Sequence, residues 1–216
     1  MTDTPTRFAY LHGFGSSARS RKGVHLREAF AGHGLDVVLP DLNRPSFAKL
    51  STRAMLAYLD GLPREGGPWG FVGSSLGGWL AARWAQLRPE RVGRLVLLCP
   101  AFDIATRWPA ILGDGAFRRW REQGELEVPD GAGVPTPLHY AFFEESRADD
   151  PRPVVPCPTR IIHGTRDETV PVESSRAYAR EHAHVELLEV DDAHDLWASR
   201  DLIVRESLRF LAGVDG

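Results

Sequence analysis

The segment "VGSSLGGW", residues 72–79, contains two adjacent serines flanked by glycines. Centred on Ser75, the pentapeptide "GSSLG" fits the pattern G-x-S-x-G, in which a reactive serine sits on a tight turn between a strand and a helix. The residues two positions before and after that serine must be small, because larger side chains would collide in the turn. A frame centred on Ser74 would put Val72 and Leu76 at those positions. The spacing therefore favours Ser75 as a nucleophile.

A serine hydroxyl attacks a carbonyl only when a neighbouring base takes its proton, and an acid must orient that base. In folds with this turn, the acid and the histidine follow the serine in that order. Of the eight histidines, only His194 lies past the last predicted strand and downstream of an acid, so we predict it to be the base. Asp167 follows the preceding strand and is the predicted acid, with Glu168 and Asp103 as alternatives. His163, at a strand end, is predicted to be a hydrogen-bonded core residue.

The loop after the first predicted strand, "LHGFGSS", contains two glycines that let the backbone turn an N–H group inward. Leu76 begins the helix after the serine, and its backbone N–H can face a developing negative charge. We predict that the N–H groups of Phe14 and Leu76 form an oxyanion hole.

Several aromatic residues fall in or beside the predicted active-site loops, and such side chains commonly line apolar ligand pockets. Substrate contact is predicted for Phe14, Trp108, Phe142 and Trp197. The basic run "RSRK", residues 19–22, is predicted to be the solvated start of a helix, with binding of an anionic substrate group as the alternative.

Short apolar runs alternate with helical patterns along the chain. The predicted strands are 8–11, 36–39, 69–72, 95–99, 159–162 and 185–190. The predicted helices are 22–32, 46–61, 76–87, 173–182 and 199–211. This alternation predicts an α/β fold with about six mostly parallel strands and helices on both faces. Loops at the carboxyl ends of such strands meet at one edge, which would bring the candidate residues together.

Residues 102–158 interrupt this alternation with many prolines and glycines. A structureless loop of that length is unusual in a compact domain. We therefore predict one domain spanning residues 1–216, with a small lid or cap insertion at about 102–158 that contains a helix at "AFRRWREQG" and a hairpin at 126–138.

Composition narrows the possible partners. The 216 residues carry a formal charge of −3 without a dominant basic stripe, so we expect no nucleic-acid partner. Cys99 and Cys157 have no metal-site spacing and are predicted to be buried free thiols, with a disulfide as the alternative. We expect no bound metal, because the chain has neither an HExxH motif nor a paired carboxylate–histidine spacing.

The first residues do not resemble a signal peptide, and no apolar run approaches the roughly 20 residues of a membrane span, so a cytoplasmic location is expected.

Together these segments resemble the α/β-hydrolase superfamily, and within it the small esterases of the YqiA type. The resemblance rests on "YLHGFGSSARSRK" and "VGSSLGGWLA", and less closely on "GTRDETVP" and "DDAHD". It implies hydrolysis of small acyl esters or thioesters without a cofactor, with Ser75, Asp167 and His194 as the triad. It fades through 102–158, which would shape the substrate site.

Two alternatives to this function stay open. The same triad could serve C–C bond hydrolysis, peptide cleavage or acyl transfer, because function depends on the site rather than on the fold. A non-catalytic binding module is the second alternative, although such a module would need neither the acid nor the histidine. The oligomeric state is not predicted.

Overall fold

The computed structural model describes residues 4–214 and contains one central parallel sheet. The strands are β1 (Arg7–Leu11), β2 (Val37–Val38), β3 (Trp69–Ser74), β4 (Val92–Leu98), β5 (Glu125–Pro129), β6 (Pro135–His139), β7 (Thr159–Gly164) and β8 (Val185–Val190). Six of them form the sheet in the order β2-β1-β3-β4-β7-β8, and all neighbours pair in parallel. This confirms the predicted α/β fold with six parallel strands.

In the described range, eight α-helices connect and flank the strands. They are α1 (Arg21–Ala31), α2 (Thr52–Asp60), α3 (Leu76–Leu87), α4 (Ile104–Leu112), α5 (Asp114–Gln123), α6 (Ala141–Ala148), α7 (Val172–Glu181) and α8 (Arg200–Ser207). The start predicted for α2, Ser46, is wrong. Ser46 closes only a local turn with the Lys49 N–H, whereas the Ser51 hydroxyl accepts a hydrogen bond from the Ala54 N–H and caps the helix.

The central strands of the sheet are buried on both faces, as the continuous apolar runs predict. Along β4, Leu95 and Leu97 join the hydrophobic cluster on one face, and Val96 and Leu98 join the cluster on the other. All four side chains are fully buried. Each contributes about 1.5–3 kcal/mol by leaving water, so this central strand firmly fixes the position of the loop that follows it.

The predicted insertion contains α4, α5, the antiparallel hairpin β5–β6 and α6. The carboxylate of Glu145 on α6 accepts hydrogen bonds from the hydroxyls of Ser51 and Thr52 at the start of α2. The two ends of the insertion meet where the Asp103 N–H donates to the Pro151 carbonyl, with an N···O distance of 3.1 Å. The segment is thus docked on the domain at both its middle and its ends.

Candidate active site

Ser75 lies on the turn that joins β3 to α3, in a conformation that few side chains adopt. Its φ is 53° and its ψ is −116°, a region that costs a non-glycine residue of order 1–3 kcal/mol. The backbone around it is held in place, because the Ser75 N–H donates to the Leu98 carbonyl at 2.9 Å and the Ser75 carbonyl accepts from Ala101. The neighbouring strand β4 and its following loop therefore fix the strained turn.

The two glycines of the pentapeptide are required by close backbone contacts. A Cβ at Gly73 would lie 2.5 Å from the Gly77 carbonyl oxygen. A Cβ at Gly77 would overlap the carbonyl oxygen of Leu11 and lie 2.6 Å from that of His12. Small residues are thus needed at both positions, and the loop after β1 can approach the Ser75 turn closely.

Three side chains from separate loops form one hydrogen-bonded chain. His194 Nε2 lies 3.1 Å from Ser75 Oγ, and His194 Nδ1 lies 2.7 Å from Asp167 Oδ2. When Nδ1–H donates to the carboxylate, Nε2 is left to accept the serine proton. The residues are 119 and 27 positions apart along the chain, and the parallel sheet brings their loops to one edge.

Asp167 is held as a carboxylate by its hydrogen bonds. Its side chain is fully buried, and the backbone N–H groups of Thr169 and Val170 donate to Oδ1 at 2.9 and 2.8 Å. Burial would raise the pKa of Asp167, but hydrogen bonds from His163, His194 and Val170 outweigh it and hold the pKa well below its usual range.

The two alternative acids lie elsewhere. The side chain of Glu168 is exposed to solvent. Asp103 lies at the start of α4, where its carboxylate is 3.7 Å from Arg152. The structure therefore places Asp167 rather than either of these carboxylates against His194.

His163 is buried in the core as predicted, and it also contacts the acid. Its Nε2 lies 2.8 Å from the Val170 carbonyl and 3.3 Å from Asp167 Oδ2, so this nitrogen carries the proton. Its Nδ1 then accepts from the Ser175 hydroxyl at 2.7 Å. Sequence reasoning missed the contact with Asp167, although the spacing of four residues across a tight loop was available as a clue.

Cys99, His163 and Asp167 bring potential metal-ligand atoms within 4.8 Å of one another. Both nitrogens of His163 are engaged in protein hydrogen bonds, and Asp167 accepts four. Burial raises the pKa of the Cys99 thiol far above its usual value, which opposes the thiolate that a metal would need. These three side chains are therefore better suited to holding Asp167 in place than to binding a metal.

The segments that carry the two predicted oxyanion donors lie close together. A Cβ on Gly13 would lie 3.2 Å from both the Ser74 carbonyl oxygen and Ser75 Cβ, so the loop after β1 passes close to the serine. Within residues 4–214, neither the Phe14 nor the Leu76 N–H donates to a protein acceptor. His12, which the sequence analysis did not single out, fixes this loop, because its Nε2 accepts from the Leu42 N–H at 2.9 Å.

A cavity of about 290 Å³ opens at Ser75 and His194. Its wall is formed by Tyr10, Gly13, Phe14, Ser16, Ser20, Arg21, Lys22, Ser74, Ser75, His194, Asp195 and Trp197. Phe14 and Trp197 therefore lie where substrate contact was predicted for them. Arg19 and Arg21 are exposed at the start of α1, as the sequence predicts, whereas Lys22 is half-buried and lines the cavity together with Arg21.

Trp108 and Phe142 do not line this cavity, contrary to prediction. Both are buried behind Phe14, with ring centroids 5.3 and 6.0 Å from the Phe14 ring. The reason is that the insertion packs its aromatic side chains inward, against the loop after β1. These two residues support Phe14 instead of reaching the cavity at Ser75.

Sequence comparisons assign most of the chain to a family. The family described as "Uncharacterised protein family (UPF0227)" matches residues 7–203. A pimeloyl-[acyl-carrier protein] methyl ester esterase of Methylococcus capsulatus is 30% identical over 195 residues, covering 75% of this chain and 73% of the relative. The mouse mitochondrial palmitoyl-protein thioesterase ABHD10 is 32% identical over 137 residues, covering 56% of this chain and 42% of the relative.

The chain spans about half the length of the ABHD10 relatives that it matches. The solved structure of mouse α/β hydrolase domain-containing protein 10 superposes with a TM-score of 0.74 at 24% identity, covering 94% of this chain and 88% of that one. This likeness shows the fold. No helix within residues 4–214 combines the length and apolar character needed to cross a lipid bilayer.

Proposed function

The chain belongs to the UPF0227 family and has the α/β-hydrolase fold, and from this premise we propose that it is a serine hydrolase of small acyl esters or thioesters. The observation that carries the proposal is the position of His194, 3.1 Å from Ser75 Oγ and 2.7 Å from Asp167 Oδ2. The relatives are named as a methyl ester esterase and a thioesterase, which supports hydrolysis of an ester or thioester bond.

In the proposed reaction, Ser75 Oγ attacks the carbonyl carbon while His194 Nε2 takes the hydroxyl proton. The tetrahedral intermediate places its oxyanion against the N–H groups of Phe14 and Leu76, each worth about 3 kcal/mol of barrier lowering. The intermediate collapses, and the alcohol or thiol leaves with the proton from His194. Water then attacks the acyl-serine with His194 again as base, which releases the acid and restores the hydroxyl.

Asp167 has an electrostatic role in this scheme. It keeps the His194 proton on Nδ1 in the resting state and stabilises the imidazolium that forms during attack. Because hydrogen bonds depress the pKa of Asp167, the carboxylate keeps its charge throughout the cycle.

The turn at Ser75 serves as the nucleophile elbow, and no cofactor takes part. We also propose that the protein is cytoplasmic, as expected from the sequence. Residues 102–158 would form the lid of the domain.

The test is covalent labelling combined with ester hydrolysis. A fluorophosphonate probe should modify Ser75, and Ser75→Ala should abolish labelling and lower kcat for p-nitrophenyl acetate by at least about 10³-fold. Ser74→Ala is the matched control, because it removes the adjacent hydroxyl and should leave the labelling site intact. Labelling of Ser74, or a folded Ser75→Ala protein with full activity, would refute the proposal.

A further inference from the structure

Helix α1 places a lysine at the wall of the candidate active site. The Lys22 ammonium donates to Ser74 Oγ at 3.0 Å, and Ser74 directly precedes Ser75. Lys22, Ser74, Ser75 and His194 all line the same cavity of about 290 Å³. A partly buried cation therefore lies beside the proposed nucleophile, and the reaction described above gives it no role.

No carboxylate in the described part of the chain neutralises the charge of Lys22 by a direct ion pair. Within residues 4–214, no carboxylate oxygen lies within 4.0 Å of its ammonium nitrogen. An ammonium has three N–H donors, and Ser74 Oγ accepts only one of them. A partly desolvated cation without a direct ion pair is costly to fold around, and two of its N–H donors are available to a ligand.

The other charges of the cavity wall are Arg21 and Asp195. The Arg21 guanidinium lies over the Trp197 ring, 3.8 Å from its centroid, which fixes a second cation at the rim. Asp195 is exposed, and its Oδ1 accepts from the Trp197 N–H at 3.2 Å. Burial lowers the pKa of Lys22, and the nearby carboxylates of Asp195, Asp192 and Asp167 oppose that effect. Two cations thus face the cavity against one solvated carboxylate.

We propose that Lys22, with Arg21 beside it, binds a carboxylate carried by the substrate, so that the protein prefers acidic esters to neutral esters of the same size. The inference rests on the proposed function and names its substrate class. The apolar faces of Phe14 and Trp197 would contact the carbon chain between the carboxylate and the reacting carbonyl. A contact with a substrate group that does not itself react should act mainly through KM, because it stabilises the bound substrate and the transition state alike.

Matched substrate pairs test the preference. Mono-p-nitrophenyl glutarate against p-nitrophenyl valerate varies the charge on the acyl half, and 4-carboxyphenyl acetate against 4-carbamoylphenyl acetate varies it on the alcohol half. In Lys22→Met, one of the two pairs should change: the ratio of kcat/KM for its charged ester to kcat/KM for its neutral ester should fall about tenfold or more. The fall should come mainly from a higher KM for the charged ester. Comparing wild type with variant cancels the intrinsic reactivity of each ester, and the affected pair identifies the half that carries the carboxylate.

Arg27→Met is the control, because it removes an exposed cation from the same helix outside the cavity wall and should leave both ratios unchanged. Raising ionic strength from about 0.01 M to about 1 M gives a test on the wild-type protein alone, since it should lower kcat/KM for the charged ester more than for its neutral partner. Equal ratios in Lys22→Met and wild type, or an equal effect of salt on both esters, would overturn the inference. Hydrolysis of neutral esters without any charge preference overturns only the inference, whereas no hydrolysis of any ester overturns the proposed function as well.

Discussion

The Nε2 atom of His163 lies 3.3 Å from Asp167 Oδ2, the same oxygen that receives the Nδ1–H of His194. The acid therefore contacts two histidines at one atom, one of them exposed to the cavity and the other fully buried. The buried ring is fixed in turn by the Ser175 hydroxyl, so the orientation of the carboxylate depends on a residue that cannot reach a substrate.

His163→Leu should lower kcat about 10- to 100-fold while leaving the three proposed catalytic side chains in place, because supporting hydrogen bonds of this kind have effects of that size. It should also cost about 1–3 kcal/mol in the free energy of unfolding, since the Ser175 hydroxyl loses its acceptor and the Val170 carbonyl its donor. His163→Gln keeps an amide donor and acceptor and should recover part of kcat. Ester hydrolysis and urea titration measure both effects, and full activity in the folded leucine variant would contradict a positioning role.

Asp167 makes stability depend on acidity. Its pKa is depressed in the folded state and about 3.9 in the unfolded chain, so its contribution to stability is present above about pH 5 and is lost as the pH falls. Between pH 7 and pH 3, the free energy of unfolding of wild type should therefore fall by about 1 kcal/mol relative to Asp167→Asn. Urea titrations at several pH values provide the measurement. Asp36→Asn, which changes an exposed carboxylate, should show no such difference, and a pH-independent gap for Asp167→Asn would count against the depressed pKa.

Gly77→Ala should abolish folding or activity, because its Cβ would overlap the backbone carbonyl oxygen of Leu11, an atom that cannot move without shifting β1. Gly115→Ala is the matched control. Its nearest neighbour is a flexible Arg119 nitrogen at 3.7 Å and it lies within α5, where alanine should stabilise the helix by about 0.5–1 kcal/mol. Thermal melts and probe labelling of both variants would report the difference. An active, stable Gly77→Ala protein would show that the β1 loop is looser than described.

Neither cysteine should react with a thiol reagent while the protein is folded. Both are free and buried, as the sequence analysis expected, and burial raises the pKa of Cys157 to about 12 and that of Cys99 still further. The reactive species is the thiolate, so modification requires unfolding. Titration with Ellman's reagent should detect no thiol in buffer and two in denaturant. Rapid modification in buffer would indicate local opening around one of these residues.

The sheet and the site loops could be predicted from the sequence because strands buried on both faces appear as short, continuous apolar runs. The runs at 69–72 and 159–162 each lie within a strand of the structure, and the candidate residues follow directly after strands. The packing of residues 102–158 could not be predicted in the same way. Helices α4 and α6 have partly buried, mixed surfaces, and whether Trp108 or Phe142 faces a cavity or the core depends on the surface against which each packs.

The position of Lys22 could not be predicted from the sequence either, because a run of charged residues such as "RSRK" indicates solvent exposure. What turns the lysine toward the cavity is the start of α1, where the Ser20 hydroxyl accepts from the Gly23 N–H at 3.2 Å. Gly23 itself has no room for a side chain, since a Cβ there would lie 2.7 Å from the Tyr10 ring. The helix can therefore pack closely on β1 and carry Lys22 to the wall.

The insertion leaves the sheet after β4 and returns at β7, and these two strands are neighbours. Because the Asp103 N–H donates a hydrogen bond to the Pro151 carbonyl, the two ends of the insertion lie close together. Strands β4 and β7 can therefore pair whatever the length of the chain between them. Such a junction allows whole segments to be exchanged during evolution, or grafted by an engineer, without changing the order of the strands that carry Ser75 and Asp167. The insertion can then diversify at a different rate from the loops that carry Ser75 and Asp167.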